Sequence, residues 1–348
     1  MNRLNLNIRL LISFMVLLAG TFLAETQFRK QQPLPFKKSM TESVELTVRM
    51  FKVIEDLKLK GSIVSDAGSN VPFRFMIGDE WSAITTTLGS LEAKEISTNP
   101  DFSALLVRLL HEADISKGDK VGVIISGSFP SLAISALAAL HTMEVEAVVM
   151  SSPGASTYGA NQPEATWIDM ESALRRADLH FNTVLVSIGA GGDSGQGLSD
   201  EGLAIIRNAA YRNSVDLFIP SSLAESIEKR VGILVEANIS LLINIGGNET
   251  ALGSCPHSLS IPNGLHTKLP VCTDENRGLI ARMNESGIPF INMLDIKDLA
   301  SRYGIDISPG TNYAKATGLY ETTTTNKPLI GAILMLCLLP IIILRKRI

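Results

Sequence analysis

The chain is predicted to be an α/β protein. Its expected core is an open, mostly parallel, Rossmann-like sheet with helices on both faces, flanked by N- and C-terminal transmembrane helices. Three observations predict this. From Lys120 onward, six short apolar runs recur: "KVGVIISG", "VEAVVMSSP", "FNTVLVSIG", "VDLFIPSS", "ISLLINIGG" and "IPFINMLD". Helical patterns such as "FPSLAISALAALHTM", "DMESALRRADL", "LAIIRNAAYRN" and "LAESIEKRVGILVEAN" separate most of them. Continuous apolar strands alternating with helices imply a parallel sheet covered on both faces. Third, an uncharged apolar stretch lies near each end, "LLISFMVLLAGTFLA" at 10–24 and "PLIGAILMLCLLPIIIL" at 328–344.

The elements follow in order. Residues 1–9 form a short basic N-terminus and 10–24 a transmembrane anchor. That run is shorter than the roughly 20 residues that cross a bilayer core. A cleaved signal peptide competes with the anchor, but Phe22 spoils the small-x-small pattern before Ala24. Residues 25–39 are a basic spacer. Residues 40–119 are a helical and irregular segment. In it, Val44, Val48, Phe51, Ile54 and Leu57 fall at helical steps before Gly61, and Asn99 is expected to cap a second helix with Pro100 in its first turn. The α/β domain covers 120–312 and includes a cysteine loop at 253–275. A polar tether at 313–327 leads to the second span at 328–344 and a basic end at 345–348. Arg3, Arg9, Arg345, Lys346 and Arg347 favour cytoplasmic termini, whereas Arg29, Lys30, Lys37 and Lys38 argue the reverse. The reading adopted places the middle region outside the cytoplasm, with membrane lipid as a partner.

The net charge is −4, and the region between the two spans is more acidic still. That excludes nucleic acid as a partner. Cys255 and Cys272 bracket the proline-containing stretch "PHSLSIPNGLHTKLPV". Outside the cytoplasm such a pair is expected to form a disulfide. The alternative is a metal site using Cys255, His257, His266 and Cys272, but C-x-H-x8-H-x5-C matches no common zinc spacing. No metal and no cofactor are expected.

In an open parallel sheet, ligands bind beyond the carboxyl ends of the strands. The segments there are "SGSFPS", "SSPGAS", "SIGAGGDSG", "PSS", "NIGGNET" and "NMLD", nearly all small and polar. Together they predict a polar crevice. The candidate ligand-binding residues are Ser126, Ser128, Ser151, Ser152, Ser156, Ser187, Gly191, Gly192, Ser194, Ser221, Asn244, Gly247 and Asn248. Ser128 and either Ser221 or Ser222 are expected at helix N-termini, where free N–H groups favour a carboxylate or phosphate. The loop at 158–171 ending in "TWIDME" is a possible lid, or Trp167 simply packs its helix on the sheet.

Catalysis is open. The candidates are Ser128, Ser194, Asp193 and Glu249. "GDSGQG" resembles a hydrolase Gly-Asp-Ser, but Gln196 breaks the G-x-S-x-G elbow, and His141 and His180 precede strands and so belong to the wrong end of the sheet. Only His257 and His266 remain to serve as a base. Ser194 also breaks the G-x-G-x-x-G match of a dinucleotide site, and no Walker lysine exists.

Four long phrases carry a family resemblance: "ITTTLGSLEAKEISTNPDFSALLVRLL", "GDKVGVIISGSFPSLAISALAAL", "SSPGASTYGANQPEATWIDME" and "NIGGNETALGSC". Over roughly 40–300, the chain resembles the poly-gamma-glutamate system protein family. The resemblance implies a bacterial accessory component of poly-γ-glutamate synthesis or export at the cytoplasmic membrane, with other proteins of that system as partners. It implies no reaction and no catalytic residue. An enzyme acting on γ-glutamyl amide bonds and a purely structural scaffold are the alternatives.

Overall fold

Each of the six apolar runs forms a strand: Lys120–Ser126 (β1), Glu146–Ser152 (β2), Asn182–Ser187 (β3), Leu217–Phe218 (β4), Leu241–Ile245 (β5) and Phe290–Met293. A further strand, Gly264–His266 (β6), makes Phe290–Met293 the seventh, β7. The structure is a computed structural model. It describes residues 29–65, 71–254, 260–268, 277–307 and 317–325, together with 11, 13–22, 67, 313, 328, 330–333, 335 and 336.

The sheet order is β6-β7-β5-β1-β2-β3-β4. β1 pairs in parallel with β5 and β2, and β2, β3 and β4 continue in parallel to one edge. β7 pairs in parallel with β5, whereas β6 runs antiparallel to β7. The chain thus moves outward from β1 through β4, then crosses back to place β5 on the other side of β1. The β1–β5 junction is the point where the winding direction reverses.

The middle strands are sealed. All residues of β5 and β7, and all but the first residue of β1 and β2, are buried. The helix Pro130–Thr142, which follows β1, is buried at every position from Pro130 to Leu140. Its sequence, "PSLAISALAAL", is apolar or small all round, the composition of a helix enclosed on every side. One core cluster joins Ile124, Val148, Leu234, Leu242, Leu279 and Phe290 across β1, β2, β5, β7 and two helices.

The predicted fold is corrected in two respects. The sheet is mixed. Gly264–His266 lies in the loop read as aperiodic, and three residues show no alternation; their strand state depends on the open edge of β7. Second, no helix among the described residues is long and apolar enough to cross a membrane. The described helical residues near the ends fall between 11 and 22 and between 328 and 336. The expected transmembrane helices, and with them the membrane placement, are withdrawn. Cys255 and Cys272 lie outside the described residues, and no disulfide occurs among the described ones. The expected disulfide therefore falls outside the described residues.

The chain divides into two units, Lys38–Leu319 and a smaller one from Met1–Lys37 and Tyr320–Ile348. In the smaller unit, Arg29–Pro33 pairs antiparallel with Glu321–Thr325. Within the stretches read as spacer and tether, these ten residues therefore form a two-stranded ribbon; β-branched "TTTT" suits an extended backbone. The first amphipathic helix runs Lys37–Lys60, and in the larger unit it buries Val44, Phe51 and Ile54. The second helix starts one residue later than predicted, at Asp101, whose N–H donates to Asn99 Oδ1 at 3.0 Å.

Candidate functional site

The carboxyl ends of β1, β2, β3 and β5 enclose a crevice of about 240 Å³. It lies at the β1–β5 junction, where reversal of the winding separates the following loops and leaves a gap. Ser126 and Ser128 line it after β1, Ser152 and Gly154 after β2, and Gly247, Asn248 and Glu249 after β5. The loop after β3 supplies Gly189, Ala190, Gly191, Asp193 and Gln196. Thr86 and Thr87 complete the wall from a short strand, Thr85–Thr87, which pairs with Ala155–Ser156. No lysine, arginine or histidine is among these lining residues. The surface is one of hydroxyls, amides and glycine backbone, together with the carboxylates of Asp193 and Glu249.

The loop after β3 explains its own glycines. Gly189, Ala190, Gly192, Asp193, Gly195 and Gly197 all have φ between 60° and 91°. That left-handed region suits glycine and is tolerated by aspartate. The folded-back loop closes on itself, with Gly195 N–H donating to Gly189 O at 2.8 Å and Gly191 N–H to Gln196 O at 3.0 Å.

Asp193 anchors this loop from beneath. Its carboxylate meets Arg230 Nη1 at 2.9 Å and accepts from Ser187 Oγ at 2.7 Å and Ser226 Oγ at 2.6 Å. Arg230 Nη2 also donates to Ser187 Oγ at 2.7 Å. Asp193 and Arg230 are 2% and 1% exposed, so this is a buried ion pair. Burial lowers the Arg230 pKa, and the facing Asp193 charge opposes that shift. Asp193 is thereby committed to holding the loop on the helix Leu223–Ala237, and its oxygens are taken.

Glu249 behaves differently. It opens the short helix Glu249–Leu252 after β5, and its Oε2 accepts the Gly192 N–H at 2.8 Å. A carboxylate of the protein itself therefore sits on a backbone donor at the wall of the crevice. It bridges the loops after β3 and β5.

The other expected residues divide by their place in the strand order. Ser221 follows β4, next to the sheet edge, and both its N–H and Oγ bind Glu225. Ser151 and Ser187 lie in β2 and β3 themselves and are buried. Asn244 is buried in β5, its amide donating to Asn292 Oδ1 and Gly246 O, each at 2.9 Å. Ser194 Oγ donates to Gly191 O at 3.1 Å and lies outside the crevice lining. His141 and His180 lie together with ring centroids 6.0 Å apart, near Gly118 and the amino ends of β2 and β3. His266 of β6 stacks on Phe290 of β7, and His257 lies outside the described residues. No cluster of three or more metal-ligating side chains occurs among the described residues. Trp167 is fully buried and donates from Nε1 to Glu171 Oε1 at 2.6 Å, which makes its loop packed structure rather than a lid.

Sequence reasoning missed Lys94, behind the crevice wall. It lies in the helix Leu91–Ser97 and is 2% exposed. Its Nζ contacts the Ser128 carbonyl and lies 2.9 Å from Ser156 Oγ, and Ser156 N–H donates to Ser128 Oγ at 3.1 Å. The Phe129 ring centroid is 3.6 Å from Nζ. Burial lowers the Lys94 pKa to about 7.

No family model matches this chain, and no curated protein matches it.

Proposed function

We propose that the crevice holds a carboxylate-bearing ligand, and that the chain serves as an accessory component of poly-γ-glutamate production, binding the polymer or its precursor alongside other proteins of that system. One observation carries the ligand class: the Glu249 carboxylate docked on Gly192 N–H. Backbone N–H groups around left-handed residues form concave anion sites, and this one already holds a glutamate side chain. The lining hydroxyls of Thr87, Ser128 and Ser152 can donate hydrogen bonds to a ligand without fixed positive charge. The phrases that resemble the poly-gamma-glutamate system family support the polymer assignment, and "SGSFPS", "SSPGAS" and "NIGGNE" in them include crevice residues.

Titration calorimetry with γ-linked glutamate oligomers, free glutamate and inorganic phosphate tests this reading. Saturable binding of the oligomers in preference to phosphate is expected. Glu249→Gln weakens the internal competitor for the Gly192 donor and should tighten oligomer binding about tenfold, the worth of roughly 1.4 kcal/mol. Absence of oligomer binding to both proteins would overturn the reading.

A further inference from the structure

We propose that Ser156 and Lys94 form a serine–lysine acyl-transfer pair acting on an amide or ester carbonyl that reaches it from the crevice. This goes beyond carboxylate binding and does not depend on it. The geometry has three parts. Lys94 Nζ lies 2.9 Å from Ser156 Oγ and also contacts the Ser128 carbonyl. A carbonyl only accepts, so a neutral amine donates one N–H to it and keeps its lone pair for the Ser156 hydroxyl proton. That is the arrangement of a nucleophile beside its base. Second, the pair sits directly behind the crevice wall. Ser156 pairs across the short strand with Thr87, and Thr87, Gly154 and Ser128 all line the crevice. Third, Ser128 Oγ accepts the Ser156 N–H and so retains its own proton for a developing oxyanion.

The charge state supports this geometry. Burial is the cause that lowers the Lys94 pKa to about 7, so neutral amine is plentiful near neutral pH. On the same helix Glu92 pairs with Lys297 of the helix Ile296–Tyr303, while the β1 and β2 loops present Ser128, Phe129 and Ser156 to Nζ.

In the step proposed, Ser156 Oγ forms a bond to the carbonyl carbon as its proton passes to Lys94 Nζ. The bond from carbonyl carbon to the leaving nitrogen or oxygen then breaks, and Lys94 returns the proton to that leaving group. Water attacks the acyl-serine and gives one proton to Lys94. Collapse releases the carboxylic acid, and the proton returns to Ser156. No oxidant, reductant or metal is required.

The test is labelling of the full chain with a fluorophosphonate probe, with the adduct located by mass spectrometry. An adduct on Ser156 is expected, its rate rising between about pH 6 and pH 8 and then levelling as Lys94 becomes neutral. Lys94→Arg should slow labelling by about 100-fold, the size of one general base, with its folding checked by circular dichroism. The pH profile of the unaltered protein keeps the test decisive if that variant does not fold. No serine adduct, an adduct on Ser128 or Ser194 in place of Ser156, or a Ser156 rate flat across that pH range would overturn the proposal.

Discussion

Asp193→Asn is expected to destabilise the larger unit by about 3–5 kcal/mol, the range for removing one member of a buried ion pair. Asparagine keeps the size of the side chain and tolerates the left-handed φ of 60° at this position. The change therefore isolates the charge. Arg230 would then remain 1% exposed with its counter-charge gone, and its Nε already has no hydrogen-bond partner. Adding Arg230→Met to Asp193→Asn should recover most of the loss, because a buried pair replaced by apolar volume is often neutral. Urea unfolding monitored by circular dichroism measures both variants. A loss below about 1 kcal/mol for the single variant would mean that the pair is solvated and does not hold the glycine-rich loop.

Stability should also rise with pH from about 7 upward, and two buried lysines are the reason. Lys94 and Lys58 each have a pKa lowered from 10.5 to about 7, mainly by burial; for Lys58 the charge of Asp79 opposes the shift. Below pH 7 both lysines are protonated in folded and unfolded chains, so they add no pH dependence. Between about 7 and 10.5 the unfolded chain holds these protons and the folded chain does not. Unfolding then takes up protons, and stability increases by up to about 1.4 kcal/mol per pH unit for each lysine. Burial raises the pKa of Tyr303, so the folded chain loses that tyrosine's proton later than the unfolded chain, which flattens the rise near pH 10. Urea midpoints at several pH values between 6 and about 9.5 check the slope. Lys94→Met and Lys58→Met should each flatten it, and an unchanged slope in both would show that neither lysine titrates with folding.

The strands were legible because β1, β2, β5 and β7 are buried on both faces and so read as unbroken apolar runs. The crevice was legible as a general property of parallel sheets, but its membership was not. The strand order decides which loops meet, and no local pattern records that order. Ser221 was therefore grouped with Ser126 and Ser128, although it follows β4 next to the sheet edge. Thr86 and Thr87 were missed because they come from an irregular stretch docked onto Ala155–Ser156. Lys94 stands between Glu92 and Glu95 and reads as part of a solvated helix face; its burial comes from loops more than thirty residues away. Arg230 did leave a trace. It falls on the buried stripe of Leu223–Ala237 with Ser226, Ile227 and Leu234, at three- and four-residue steps. An arginine on such a stripe calls for a buried carboxylate, and Asp193 was the one available inside the glycine-rich loop.

Mapping backbone amide chemical shifts during titration with a γ-linked glutamate oligomer tests the central claim most directly. The account predicts saturable shifts confined to the crevice, at Gly189, Gly191, Gly192, Ser128, Gly247 and Asn248, with Gly192 changing most as Glu249 is displaced. Shifts clustered on another surface, or none at oligomer concentrations that saturate binding, would contradict it.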